Sequence, residues 1–209
     1  NIDFKTSSLF SAGTAICGGS AIAALSPVIR ANVKQISIAL GTVFILNALA
    51  LVIFPTIGHY FHLSQSQFGL WCAISIHDTS SVVGAASKYG EQALQIATTV
   101  KLARALWIIP VSLAATYLFK TDRTKIQVPY FIGLFILAIL VNTYIPFFAK
   151  AAHYTTPLAK ALLSLTLFLI GSALPIKTLK NIGLNPFLQG TVLWILISAA
   201  SLFAIITLT

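Results

Sequence analysis

The sequence predicts an all-α membrane protein: a polytopic transmembrane helical bundle in which two of the helices are broken. Of its 209 residues, 57% are hydrophobic and only 8% are charged, whereas soluble domains carry about 25% charged residues. Apolar runs of roughly membrane-spanning length fill most of the chain. Small polar residues interrupt two of these runs near their middle, which is unusual for a simple membrane helix.

Seven apolar runs are each long enough, or nearly so, to cross a bilayer. They cover residues 8–29, 36–61, 67–87, 97–119, 128–149, 157–176 and 186–208. The connections between them are short, so consecutive runs are expected to pack side by side in a single domain, 1–209. The chain starts with Asn and contains no Met, so we expect it to be part of a longer protein.

The net charge of +9 does not indicate nucleic-acid binding. The basic residues mostly flank apolar runs, as Lys and Arg do at membrane surfaces. Base stacking needs exposed aromatic side chains in a basic groove, but the 14 Phe residues lie within apolar spans. The two cysteines also lie in apolar runs without metal-ligand spacing, so neither a metal nor a cofactor is predicted.

The first run contains adjacent glycines at its midpoint, Gly18 and Gly19. Glycine weakens a helix because it has the greatest backbone freedom to lose. A break after Gly19 would leave the first N–H groups of a new half-helix free to face an anion. The alternative is close helix packing, since small residues let membrane helices approach each other.

The third run contains Asp78 near its midpoint, after a stretch from Gln35 to His77 without a single Lys, Arg, Asp or Glu. A carboxylate at that depth is costly and usually faces a cavity or a partner, which favours a functional role. Asp78 could also cap a half-helix that begins at Thr79, and the two roles are compatible. Two interrupted segments in one chain are typical of a transporter binding site.

The fourth run carries two cations, Lys101 and Arg104, three residues apart and therefore on one helix face. The 15 residues from Ala105 to Phe119 are too few to span a bilayer, so the helix must begin earlier and draw Arg104 inside the membrane boundary. The two cations could attract an anion or neutralise Asp78. The alternative is that they snorkel to the interface.

With these motifs in place, nearly the whole chain resembles the YeiH family of bacterial inner-membrane proteins, which are often labelled sulfate exporters. The resemblance lies in residues 13–24 (GTAICGGSAIAA), 68–71 (FGLW), 75–78 (SIHD), 82–83 (VV), 89–91 (YGE), 96–98 (IAT) and 100–102 (VKL), with Arg104. It implies a multi-pass inner (plasma) membrane transporter related in fold to bile-acid and arsenite carriers, with some four helices before the first motif. Two departures are Asn32-Val33-Lys34-Gln35, in place of an acidic run, and Thr79-Ser80-Ser81 after Asp78.

The expected function is secondary transport of a small anion, with sulfate, sulfite or an organosulfonate as substrate. The predicted substrate-binding residues are Thr14, Cys17, Gly18, Gly19, Ser20, Thr79, Ser80, Ser81, Lys101 and Arg104. Asp78 is expected to couple transport to a proton or Na⁺, with His77 as a relay. The partners are the anion and the bilayer, and a homo-oligomer is compatible with the sequence.

Two other functions stay open at this point. A passive anion channel could be built on the same broken helices. A membrane-embedded enzyme could use Cys17, His77 and Asp78 as nucleophile, base and orienting group. The enzyme is disfavoured because adjacent side chains on a helix point about 100° apart, which suits a relay poorly.

Overall fold

The computed structural model describes residues 3–118 and 184–208, together with scattered positions between 134 and 169. The chain divides into two compact units, Asn1–Ile126 with Leu174–Thr209, and Gln127–Ala173. Every helix discussed below belongs to the first unit. Most residues of the predicted runs 128–149 and 157–176 lie outside the described residues.

The secondary structure of the described residues consists of helices, which confirms the all-α membrane class. Its helices are α1 (Phe4–Ala15), α2 (Gly19–Val28), α3 (Val33–Tyr60), α4 (Gln65–Ser75), α5 (Thr79–Tyr89), α6 (Glu91–Ala105), α7 (Ile108–Leu118) and α8 (Leu184–Leu208). By length and composition, three stretches could each cross a membrane: Val33–Tyr60, Glu91–Leu118 and Leu184–Leu208. The first and third predicted runs are each split into two half-helices, α1–α2 and α4–α5.

Side-chain caps fix where several helices begin. Asn32 and Gln35 form a capping box at the start of α3, in which each side chain accepts from the backbone N–H of the other. Ser64 and Gln67 do the same for α4. These boxes satisfy N–H groups that have no partner within the helix. The departure from the acidic run after the first segment therefore serves as a helix start.

Helix α3 is the central element, because α1, α2, α5 and α8 all pack against it. Its buried face carries small and medium side chains, including Ala39, Val43, Leu46 and Ala50. In a membrane such contacts act through van der Waals packing rather than through the hydrophobic effect. Close packing on this face brings half-helices from both breaks, α1, α2 and α5, against a single long helix.

Helix α4 lies between α6 and α8. The ring of Trp71 stacks on Phe54 with centroids 4.3 Å apart, and its Nε1 donates to the Ser198 carbonyl oxygen at 3.0 Å. In the same contact between α4 and α8, the hydroxyls of Ser75 and Ser201 lie 3.0 Å apart. Polar side chains that pair across membrane helices in this way hold α8 in register against α4.

The first break lies one position earlier than the sequence predicted. The prediction placed it after Gly19, but Gly19 is the first residue of α2 and the break comprises Ile16, Cys17 and Gly18. Gly18 makes this turn because its backbone, at φ 63° and ψ −118°, is in a region open only to glycine. Its N–H donates to the Gly13 carbonyl at 2.8 Å and closes the end of α1.

The second break lies where it was predicted. Helix α4 ends at Ser75 and α5 begins at Thr79, with Ile76 and Asp78 in extended conformations (ψ 129° and 142°). Helix α6 begins at Glu91, well before Ala105, which confirms that Arg104 lies inside a longer helical segment.

Candidate functional site: the crossing of two broken helices

The two breaks touch each other, and we call the region where they meet the crossing: residues 16–18 against residues 76–78. A Cβ atom placed on Gly18 would lie 3.1 Å from the Cβ of His77 and 3.2 Å from its carbonyl carbon. The same position lies 3.1 Å from a methyl group of Val43 on α3. The absence of a side chain at Gly18 is what allows the two backbones to come this close.

The N-terminal ends of the two inner half-helices differ at the crossing. Helix α2 begins after Gly18 without a side-chain cap, and Ser20 in its first turn is exposed. Helix α5 is capped by Asp78, whose Oδ2 accepts from the backbone N–H of Ser81 at 3.0 Å and from its hydroxyl at 3.2 Å. Helix N-termini carry partial positive charge. The Asp78 carboxylate therefore neutralises the N-terminus of α5, whereas the N-terminus of α2 is available to an external anion.

Arg104 joins the C-terminal ends of the two outer half-helices. Its Nε donates to the Ala15 carbonyl at 2.8 Å and its Nη2 to that of Thr14 at 3.0 Å, both in α1. Its Nη1 donates to the carbonyls of Ile74 at 2.7 Å and Ala73 at 3.3 Å, both in α4. The flat, forked guanidinium is suited to reaching two acceptors in different directions. One side chain thus holds both broken helices together.

Lys101 lies one turn earlier on the same face of α6 and is 0% exposed. Its ammonium group donates to the Ile76 carbonyl at 2.6 Å and to that of Ala73 at 3.4 Å. The predicted shared face of Lys101 and Arg104 is confirmed. Both cations lie at helix C-termini, which carry partial negative charge, so their placement is electrostatically favourable.

The other predicted residues lie around this arrangement. The Cys17 thiol is buried within hydrogen-bonding reach of the Ser20 side chain and the Ala21 backbone. Thr14 and Ser80 are buried, and Thr79 is half-buried next to Asp78. Cys17 and Gly18 thus lie in the first break, and Ser20 lies beside them in the first turn of α2.

His77 is 1% exposed, and within the described part of the chain neither of its ring nitrogens has a hydrogen-bond partner. The hydrogen bonds of Asp78 run to Ser81 rather than to this ring. The relay role of His77 therefore stays a prediction. A catalytic triad of Cys17, His77 and Asp78 would need a hydrogen bond between the base, His77, and the orienting group, Asp78. This triad also stays a prediction.

Sequence reasoning missed Asn47 of α3, which supports the crossing from behind. Its Oδ1 accepts from the backbone N–H of His77 at 3.0 Å, and its Nδ2 has no partner among the described residues. The sequence could have indicated Asn47, because its side-chain amide lies in the middle of a run that lacks charged residues. Polar side chains at such depth usually face the interior of the bundle.

Comparison with known proteins places this chain in a family. Residues 1–190 match the family model described as Conserved hypothetical protein 698. A UPF0324 membrane protein of Bacteroides thetaiotaomicron is 52% identical over 205 residues, covering 96% of this chain and 61% of that protein. One from Porphyromonas gingivalis is 54% identical over 201 residues, covering 95% and 61%.

The chain thus spans about three fifths of the length of the curated relatives it matches. No solved structure matches it. The relatives are bacterial membrane proteins, in agreement with the spans found in the described helices. This chain belongs to the UPF0324 family of multi-pass bacterial membrane proteins, the YeiH-type family whose model is described as Conserved hypothetical protein 698.

Proposed function

We propose that this chain forms the substrate-binding part of a secondary transporter for a small anion, with sulfate, sulfite or an organosulfonate as the leading candidates. The observation that carries the proposal is the contact between two helix breaks, Gly18 against His77. Transporters build binding sites near the bilayer midplane from interrupted helices, whose free N-termini face anionic groups. The UPF0324 relatives are named as membrane proteins, without a substrate.

The uncapped start of α2 is the anion-binding element of this proposal. The first N–H groups of a helix have no intrahelical acceptor, and those of Gly19 and Ser20 belong to this class. Ser20, an exposed residue, and the half-buried Thr79 each add a hydroxyl donor near the two breaks. Backbone N–H groups and hydroxyls are a donor set suited to a tetrahedral oxyanion.

Lys101 and Arg104 contribute charge rather than direct contacts. Their hydrogen bonds run to backbone carbonyls at the C-terminal ends of α1 and α4. Among the described residues at the crossing, two cationic side chains therefore face one carboxylate, that of Asp78. Charges at a site of low dielectric act over several ångströms, so this surplus favours an anion without touching it.

Asp78 supplies the coupling in this proposal. Its carboxylate neutralises the N-terminus of α5 and adds negative charge close to the anion-binding element. Binding of a proton or Na⁺ at Asp78 would remove that charge and make room for the anion. The cation and the anion would then bind together and cross together, as one bundle rocks against the other.

Replacing Asp78 by Asn is expected to abolish gradient-driven anion uptake while leaving the fold intact. Asn caps helices as well as Asp does, so the hydrogen bond to the Ser81 N–H is retained. The amide cannot take up a proton, so the coupled step is lost. The measurement is uptake of labelled sulfate and sulfite into proteoliposomes that contain the intact protein, with a pH gradient of either polarity.

Asp3→Asn is the matched control, because Asp3 caps α1 through the Thr6 N–H in the same way. Uptake by this variant should equal that of the wild type. Full pH-driven uptake by Asp78→Asn would refute the coupling role of Asp78.

A further inference from the structure

Lys101 is a fully buried cation that lies against backbone carbonyls. Its hydrogen bonds, at 2.6 Å and 3.4 Å, run to Ile76 and Ala73 at the end of α4. Buried lysines normally pair with a carboxylate, because an isolated charge is costly to desolvate. Here the negative end of a helix takes the place of that carboxylate.

The acceptors of Lys101 are of the kind that bind metal cations in other transporters. Carbonyls at the C-terminal ends of half-helices and in unwound segments coordinate Na⁺ there. Ile76 lies in such an unwound segment, with ψ at 129°. The ammonium group of Lys101 therefore lies where the backbone carbonyls would otherwise attract a metal cation.

The charges around this place also disfavour a second, mobile cation. Arg104, on the same helix, holds the carbonyls of Ala73 and Ile74. Among the described residues, the other ionisable groups that interact electrostatically with Lys101 are Cys17, Cys72, His77 and Asp78. Of these, only Asp78 is a carboxylate, and it lies at the start of α5. A free Na⁺ would thus meet two fixed positive charges, and the carbonyls of Ala73, Ile74 and Ile76 already accept hydrogen bonds from them.

We propose that Lys101 is a tethered cation that occupies the position of a coupling Na⁺, so that the crossing neither binds nor needs Na⁺. Within the proposed function, from which the idea of a coupling ion comes, this leaves the proton as the coupling ion and Asp78 as its site. Whether Lys101 occupies a Na⁺ position can be tested by measuring Na⁺ binding, without a transport assay.

The test compares thermal unfolding of the intact purified protein in 100 mM NaCl and in 100 mM choline chloride. The wild type is expected to unfold at the same temperature in both salts. Lys101→Ala is expected to be less stable in choline and to gain about 3–6 °C in Na⁺, for a dissociation constant of about 10 mM. Lys101→Arg, which keeps the charge, should remain insensitive to Na⁺.

Lys88→Ala, which removes an exposed lysine at the end of α5, is the control and should behave as the wild type does. If Lys101→Ala does not fold, Lys101→Met fills the same space without the charge and is judged by the same criteria. Specific stabilisation of the wild type by Na⁺ would overturn the inference. So would a folded, uncharged variant that responds equally to both salts. If the proposed function is wrong, anion uptake would be absent, but the unfolding temperatures would still respond to Na⁺ as described.

Discussion

Replacing Arg104 by Ala is expected to lower the free energy of unfolding by about 3–5 kcal/mol, the largest effect of a single side chain at the crossing. The guanidinium donates to four carbonyl oxygens, two at the end of α1 and two in the last turns of α4. Without it, the carbonyls of Thr14, Ala15 and Ile74 lose this donor in a medium that offers little water, and of the two cations only Lys101 still bonds to the end of α4. The two broken helices would then separate at their C-terminal ends.

Thermal or denaturant unfolding of the intact protein in detergent measures this effect. Arg104→Lys keeps the charge but loses the fork, so it should reach one helix end only and fall between the wild type and Arg104→Ala. Lys34→Ala, an exposed cation in the first turn of α3, is the control and should change stability by less than about 0.5 kcal/mol. If Arg104→Ala also lowered the free energy of unfolding by less than about 0.5 kcal/mol, Arg104 would not hold the two broken helices together.

Replacing Gly18 by Ala is expected to cost about 2–4 kcal/mol and to abolish transport. At φ 63° and ψ −118° a side chain is strained whatever the space around it. The added Cβ would also press on His77 and on Val43, at 3.1 Å from each. The two breaks would have to move apart, and the contact that defines the site would be lost.

Its neighbour provides a matched control. A Cβ at Gly19 would meet Leu40 and Phe44 at 3.5 Å, which is an ordinary contact, and Gly19 is helical. Gly19→Ala should therefore be neutral or slightly stabilising, because Ala has the higher helix propensity. The measurements are unfolding curves and anion uptake of Gly18→Ala and Gly19→Ala. Equal stability and equal uptake would rule out close contact at Gly18.

The sequence was sufficient to predict which runs are broken, and it placed the first break to within one residue. Charge and composition alone identified the interrupted runs, because a mid-membrane carboxylate and paired glycines conflict with a continuous apolar helix. The start of α5 at Thr79 followed directly from the capping preference of Asp78. The shift from Gly19 to Gly18 could not be foreseen, because it depends on which glycine adopts the positive φ angle.

The sequence could not identify the partners of the buried cations. Arg104 bonds to backbone carbonyls about 30 and 90 residues away, and backbone acceptors leave no trace in residue types. We expected Lys101 and Arg104 to face an anion or Asp78, and that role stays a prediction. The contact of Asn47 with the His77 backbone is equally distant in sequence and follows only from the packing of α3 behind the crossing.

The most direct test of the central claim, that the crossing carries a small anion by alternating access, is counterflow by the intact wild-type protein in proteoliposomes. Uptake of labelled sulfate or sulfite into vesicles preloaded with the same unlabelled anion should exceed uptake into empty vesicles. This follows because a carrier returns faster when it is loaded. Flux without stimulation by internal anion would indicate a channel, and no flux of either anion would contradict the claim for these substrates.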